Sequence, residues 1–253
     1  MNKDTIETSH EALIKDVVMI TARILLESGA EGTRVEDTMA RIATKLGYPE
    51  SNSFVTNTVI EFVLHNEAYP RLYRIKTRDT NLIKISQANE ISRQITNGTM
   101  TLEEAKYQLE EIYVAKRDSS LPFKGIAAAI IATSFLYLQG GRLVDIITAV
   151  LAGTIGYLVV EILDRKLHAQ FIPEFIGSLV IGIISVIGHA FVPSGDLATI
   201  IIAAVMPIVP GVLTNAMQDL FGGHMLMFTT KSLEALVTAF GIGAGVSSIL
   251  ILV

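Results

Sequence analysis

Apolar positions near the start of the chain recur with the period of an amphipathic helix. Leu13, Val17, Ile20, Ile24 and Leu25 come at helical spacing ahead of Gly29, which predicts a helix over that stretch. Thr33-Arg-Val-Glu36 has the capping-box pattern, in which a hydroxyl and a carboxylate satisfy free backbone N–H groups. It predicts a helix from there to about Gly47. SFVTNTVIEFVL and RLYRIKT are rich in β-branched and aromatic residues and read as strands. NLIKISQANEISRQITNG returns to helix and stops at Gly98. Thr101-Leu-Glu-Glu104 repeats the capping box and opens a last helix to about Arg117. Together these predict a small α+β domain over residues 1–120.

Beyond that point the pattern loses its polar face. Five apolar segments follow, at Lys124–Gln139, Leu143–Leu163, Phe171–Val192, Leu197–Leu213 and Leu233–Val253. Crossing the hydrocarbon takes about 20 residues, with about 17 as the lower limit. The second, third and fifth segments clear that bar, and the first and fourth are short. Helices this uniformly apolar would need a very large protein to bury them in water. The expected fold class is therefore an α-helical membrane protein. Its residues 121–253 form about five transmembrane helices in the lipid bilayer, behind the α+β domain.

Composition follows the same division. Residues 1–120 hold 15 Lys/Arg and 18 Asp/Glu, whereas residues 121–253 hold 5 and 7. The net charge of −5 is small and unpatterned, so nothing points to nucleic acid as a partner. There is no cysteine, hence no disulfide framework and no thiolate chemistry. MNKDTIETSHEALIKD is too polar for a signal peptide, which predicts a cytoplasmic first domain. Lys116, Arg117 and Lys124 precede the first span, Arg165 and Lys166 follow the second, and Lys231 precedes the fifth. That alternation places the N-terminus in the cytoplasm and Val253 outside. The pairs Gly241/Gly245, Ala149/Gly153 and Ser178/Gly182 have the small-xxx-small spacing of close helix contacts. They read as contacts within one subunit rather than as a dimer motif.

Catalytic signatures are mostly missing: GxSxG, HExxH and GxxxxGK[ST] do not occur, and the five histidines are scattered. No cofactor or metal is expected. Asp145, Glu161 and Glu174 lie close to span ends. Acids there serve as proton relays or simply sit in the interface, where a charge costs little. Asp145 and Glu161 are retained as candidates for proton coupling or gating. Glu31, Arg34, Glu36 and Asp37 form a charged block that reads either as a functional motif of the first domain or as a solvated helix face.

MPIVPGVLTNAMQDLFGG, residues 206–223, is different. Pro207 and Pro210 remove two backbone donors inside an apolar run, and Gly211 loosens the chain further. Freed carbonyls in lipid cost several kcal/mol unless protein or water meets them. Broken helices near the bilayer midplane build transporter sites in this way. A half-helix starting near Pro210 would offer its free N–H groups to a carboxylate. Asn215 and Asp219, four apart, share one helical face. The candidate substrate-binding residues are Pro207, Pro210, Gly211, Thr214, Asn215 and Asp219, with Asp219 also a proton acceptor or gate. The competing reading is a plain proline kink.

Several blocks resemble the large integral subunit of the threonine/serine exporter family. ESGAEGTRVEDTMARIATKLG (27–47), FVTNT (54–58), NLIKISQANEISR (81–93), MPIVPGVLTNAMQDL (206–220) and KSLEA (231–235) are similar to its motifs, in the same order. Asn57 stands where proline is more usual in that family, Gln218 where arginine is common and His224 where Asp is frequent. The resemblance implies a bacterial inner-membrane exporter acting with a second, smaller membrane subunit. Its substrates would be threonine and serine or, as in related two-subunit systems, C4-dicarboxylates such as succinate. An odd span count agrees with a partner that supplies further spans; assembly into a higher oligomer is the other source. Together these predict a proton-driven secondary exporter of a small carboxylate-bearing metabolite. A membrane-anchored enzyme and a membrane sensor or scaffold are the alternative classes.

Overall fold

The computed structural model describes residues 3–66, 68–76, 78–115, 120–167, 171–192, 195–209 and 211–252, with the side chains of residues 3–8, 212 and 213 left aside. Lys116, Arg117 and Pro210 therefore lie outside the described residues. The chain sorts into two compact units. One is Met1–Lys116 with Thr214–Lys231, and the other is Arg117–Leu213 with Ser232–Val253.

The first unit begins with α1 (Lys3–Glu27) and α2 (Gly32–Lys45). Strands β1 (Asn52–Val55), β2 (Val59–Val63) and β3 (Arg71–Arg74) follow, then α3 (Leu82–Asn97) and α4 (Leu102–Val114). The sheet is antiparallel in the order β1-β2-β3, with Val55 opposite Ile60 and Ile60 opposite Tyr73. SFVTNTVIEFVL is thus two strands rather than one. Thr56 closes the turn between them, its N–H donating to the Val59 carbonyl at 2.8 Å and its hydroxyl accepting from the Val59 N–H at 3.0 Å. Along β2 the alternation buries Ile60 and Phe62. They join Val17, Ile24 and Leu25 of α1, Met39 and Ile42 of α2, Ala88 and Ile91 of α3 and Leu109 of α4 in one core. Met227, far along the chain, belongs to that core as well.

The two capping boxes part company. At α4 the Thr101 hydroxyl accepts from the Glu104 N–H and Glu104 accepts from the Thr101 N–H, as expected. Gly98 ends α3 at φ 74°. At α2 the helix starts one residue before Thr33, at Gly32, with Glu31 as its N-cap and no capping bond from the Glu31 side chain. Thr33 is already inside the first turn and Glu36 bonds elsewhere, so the expected box does not form.

The second unit is helical: α5 (Leu121–Leu138), α6 (Ile146–Leu167, preceded by a 3-10 turn at Leu143–Asp145), α7 (Ile172–Phe191) and α8 (Leu197–Val205). A 3-10 turn at Met206–Ile208 follows α8, and α9 (Val212–Phe221) and α10 (Met225–Leu250) complete the chain. Four segments are long and apolar enough to cross a membrane: Leu121–Leu138, Leu143–Leu167, Ile172–Phe191 and Met225–Leu250. The first reaches 18 residues because Pro122 lies in the opening turn, where its missing N–H has no helical partner to lose. The expected fourth span is shorter than the rest. Its apolar helix, Leu197–Ile208, has 12 residues and measures roughly 18 Å against a hydrocarbon layer of about 30 Å. The described residues therefore hold four span-length helices and one short one, where five spans were expected.

Small residues bring the helices of this unit close, as packing in lipid requires. A Cβ on Gly156 of α6 would overlap the Ile181 side chain of α7, and one on Gly177 of α7 would overlap Val160 of α6. Gly153 faces Ala132 of α5 and Ala204 of α8, Gly182 faces Ile249, and Gly245 faces Ser178. All three small-xxx-small pairs thus contribute to contacts within this unit.

Candidate functional site

The break expected between Pro207 and Gly211 is present. Helical hydrogen bonding stops after Val205, a single 3-10 turn carries Pro207, and a new helix opens at Val212. Gly211 has open space where a Cβ would stand. Along α9, Thr214 is exposed, Asn215 is half-buried and Asp219 is fully buried.

Asp219 explains how α2 starts without its capping box. Its carboxylate accepts the N–H of Gly32, the first residue of α2, at 3.0 Å. Its other oxygen takes Lys231 Nζ at 2.5 Å. An anion at a helix N-terminus is favoured by the free N–H groups and the helix dipole together. Lys231 is itself buried, so this is an ion pair withdrawn from water. Such a pair is held by geometry and strongly penalises removal of either partner.

Around this pair the same segment meets α2 and the first hairpin again. His224 Nε2 stands 3.4 Å from Glu36 Oε2, while Glu36 Oε1 accepts the Val55 N–H at 2.9 Å. Asn57 donates from Nδ2 to the Met227 carbonyl at 3.3 Å, and its buried Oδ1 has no partner among the described residues. A Cβ on Gly32 would lie 2.5 Å from Met227 Sδ and 3.1 Å from His224 Nδ1. Asp219 and His224 thus meet one face of α2, at Gly32 and Glu36, and Asn57 bonds to Met227, whose sulfur faces Gly32. Of the charged block, Glu36 takes part. Glu31 serves as N-cap, and Arg34 and Asp37 are exposed, with Asp37 paired to Arg41 at 3.1 Å.

The acids of the second unit differ in their surroundings. Glu161 is bound by Lys124 Nζ at 2.6 Å and Arg165 Nη2 at 2.8 Å, so it ties α5 to α6. Asp145 is 1% exposed, and its Oδ1 has no hydrogen-bond partner among the described residues. Gly195 leaves room for that carboxylate, since a Cβ there would fall on it. Glu174 Oε2, Ser185 Oγ and His189 Nδ1 are also buried without partners among the described residues. A buried carboxylate oxygen without a protein partner is costly unless water or a ligand meets it.

Four span-length apolar helices and a shorter, broken fourth segment are those of a multi-pass membrane protein. A family model described as "Putative threonine/serine exporter" matches residues 16–253. The chain belongs to that family. No curated protein and no solved structure matches it.

Two partners in the site escaped the sequence. Lys231 is apparent there as a basic residue ahead of a span and the first residue of KSLEA, and Gly32 as one position of the 27–47 block, neither as a partner of Asp219. Nothing local marks a contact across 187 positions.

Proposed function

We propose that the chain is the large subunit of a proton-driven secondary exporter. It carries a small carboxylate-bearing metabolite, threonine or serine or a C4-dicarboxylate such as succinate, across the bacterial inner membrane. The observation that carries this reading is the family match over residues 16–253. The helix break at residues 206–211 supports it, because α9 opens there with free N–H groups suited to a carboxylate. Pro207, Pro210, Gly211, Thr214 and Asn215 would frame the substrate. Asp219, tied to Lys231 and Gly32, suits a gating contact better than an open proton acceptor. Asp145, with an oxygen that has no partner among the described residues, suits the coupling proton better than Glu161, which two cations already hold.

The proposed orientation rests on the basic residues of the connections, Lys124 before the first span, Arg165 and Lys166 after the second and Lys231 before the last. Thr214–Lys231 belongs to the same unit as the N-terminal residues, and one compact unit stands on one side of a bilayer. The chain therefore returns to that side between α7 and α10, through the short α8. This reading has a cytoplasmic N-terminus and a periplasmic C-terminus, and an odd number of crossings that a smaller partner subunit would complement.

Counterflow of labelled threonine, serine and succinate into sealed vesicles tests the function, with and without the small subunit. Exchange of one of them that requires both subunits is the expected result. Conversion of substrate in detergent, with no counterflow in vesicles, would replace the exporter with an enzyme.

A further inference from the structure

The sheet of the first unit has one covered face and one open face. Ile60 and Phe62 of β2 point into the core, Tyr73 of β3 packs against it, and Ile75 beyond β3 is buried there as well. Strand alternation therefore turns Leu72, Arg74 and Lys76 the other way, and all three are exposed. Pairing sets Leu72 beside Glu61 and Glu61 beside Phe54, while Arg74 stands beside Val59. Leu72 is 66% exposed and Phe54 53%. Apolar side chains gathered on an open face and rimmed by charge mark an interaction surface.

The charge at this rim is basic. Arg71, on the covered side, is spent on Asp16, which Lys106 Nζ also meets at 2.7 Å. Burial raises the Asp16 carboxyl, but the bonds from Lys106 and Arg71 outweigh this and hold it below its ordinary range. Arg74 and Lys76 have no such partner among the described residues. Half-buried Glu61 is the acid on the open face of the three strands.

Position singles out the partner. The Ile75 N–H donates to the Thr58 carbonyl at 2.8 Å, so Lys76 comes level with Asn57 at the hairpin turn. Asn57 in turn bonds to the Met227 carbonyl, near the start of α10, a helix long and apolar enough to cross a membrane. The basic end of the open face is thus the end tied to the head of a span-length helix. Bases at that level are drawn to a bilayer surface that carries anionic lipid. An acidic protein segment would also satisfy them, but nothing ties one to this end of the sheet.

We propose that the open face of the sheet, through Leu72, Arg74 and Lys76, rests on anionic lipid headgroups around the foot of α10. The contact steadies the first unit against the membrane. It does not depend on the exporter reading, because lipid contact is read where no transport occurs.

The chain has no tryptophan, so Leu72→Trp places a single emitter on this face. The full-length variant is compared in detergent, in nanodiscs of phosphatidylcholine, and in nanodiscs that also contain phosphatidylglycerol. Its emission should shift to the blue only in the discs with phosphatidylglycerol. Adding Arg74→Gln and Lys76→Gln weakens the attraction about fivefold for each base and should abolish the shift. Salt at about 1 M should abolish it too, since the screening length falls to roughly 3 Å. Asn97→Trp, exposed at the end of α3, should emit alike in all three media. Equal emission of Leu72→Trp in both kinds of disc would overturn the proposal. So would a shift that survives the added substitutions or the salt, or an equal shift in Asn97→Trp. Emission already blue in detergent would assign the face to a protein segment and overturn it as well.

Discussion

The carboxylate of Asp219 caps the backbone nitrogen of Gly32, 3.0 Å away and 187 positions earlier in the chain. A charged residue from the segment after the helix break thus completes the first turn of a helix in the N-terminal domain. Lys231 neutralises it at 2.5 Å from the other side. The motif that opens α2 and the motif that follows the break belong to one structural object.

Asp219→Asn should destabilise the protein sharply. The amide still accepts the Gly32 N–H, but buried Lys231 loses its counter-charge, at about 3–5 kcal/mol for breaking such a pair. Lys231→Met should be comparably damaging for the converse reason. The double variant leaves no unpaired charge and should recover most of the loss. Thermal unfolding of the three variants in detergent measures this. A double variant no more stable than either single one would show that the pair is not the source of the penalty.

Close helix contacts in the second unit set opposite outcomes for one chemical change. Gly156→Ala drives a methyl group into fully buried Ile181 and to 3.2 Å from the Gly177 carbonyl, and should cost about 1–3 kcal/mol through overpacking. Gly243→Ala meets nothing within 4 Å and should be neutral or stabilising by up to about 1 kcal/mol through helix propensity. Unfolding of both in the same detergent checks the contrast.

Acid should loosen the first unit through Asp16. Its folded pKa is depressed, so its contribution is complete above the unfolded value of about 3.9 and is lost as pH falls through the folded value. Glu27 has the opposite sign. Burial, against the pull of Arg23, raises its carboxyl above the ordinary value, so its penalty is present above the folded pKa and fades as pH falls through it. Melting temperatures measured against pH should show a shallower acid decline in Asp16→Asn than in wild type. Glu27→Gln should gain stability near neutral pH and lose that advantage on acidification.

Where partners are close in sequence, the sequence was informative. Thr101 and Glu104 form their capping box within four residues, and Gly98 takes the left-handed conformation that stops α3. Thr33 and Glu36 show the same pattern, yet Gly32 receives its cap from Asp219, and Glu36 turns to Val55 and His224. A pattern four residues long carries no information about a competitor on another segment. The hairpin turn at Thr56 was hidden for a related reason. β-Branched residues continue through it, and only Asn57 interrupts them. The short fourth span was visible as a short segment, but a count of apolar residues through Leu213 ran past the point where helical bonding ends at Val205. The site residues on α9 were legible as a group, while their partners Gly32 and Lys231 were not.

The 12 residues of Leu197–Ile208 have an electrical consequence. Where this helix lies across the bilayer it covers roughly 18 Å of a layer about 30 Å thick, and lipid or water must close the difference. Membrane voltage falls over oil, so a bilayer thinned to match this helix would carry a steeper field beside the helix break. A charge passing that point feels the full drop, about 2.3 kcal/mol per elementary charge per 100 mV, over a short stretch of protein. Under the proposed exporter reading, a charge crossing beside this helix would travel a shorter path through oil than elsewhere in the membrane.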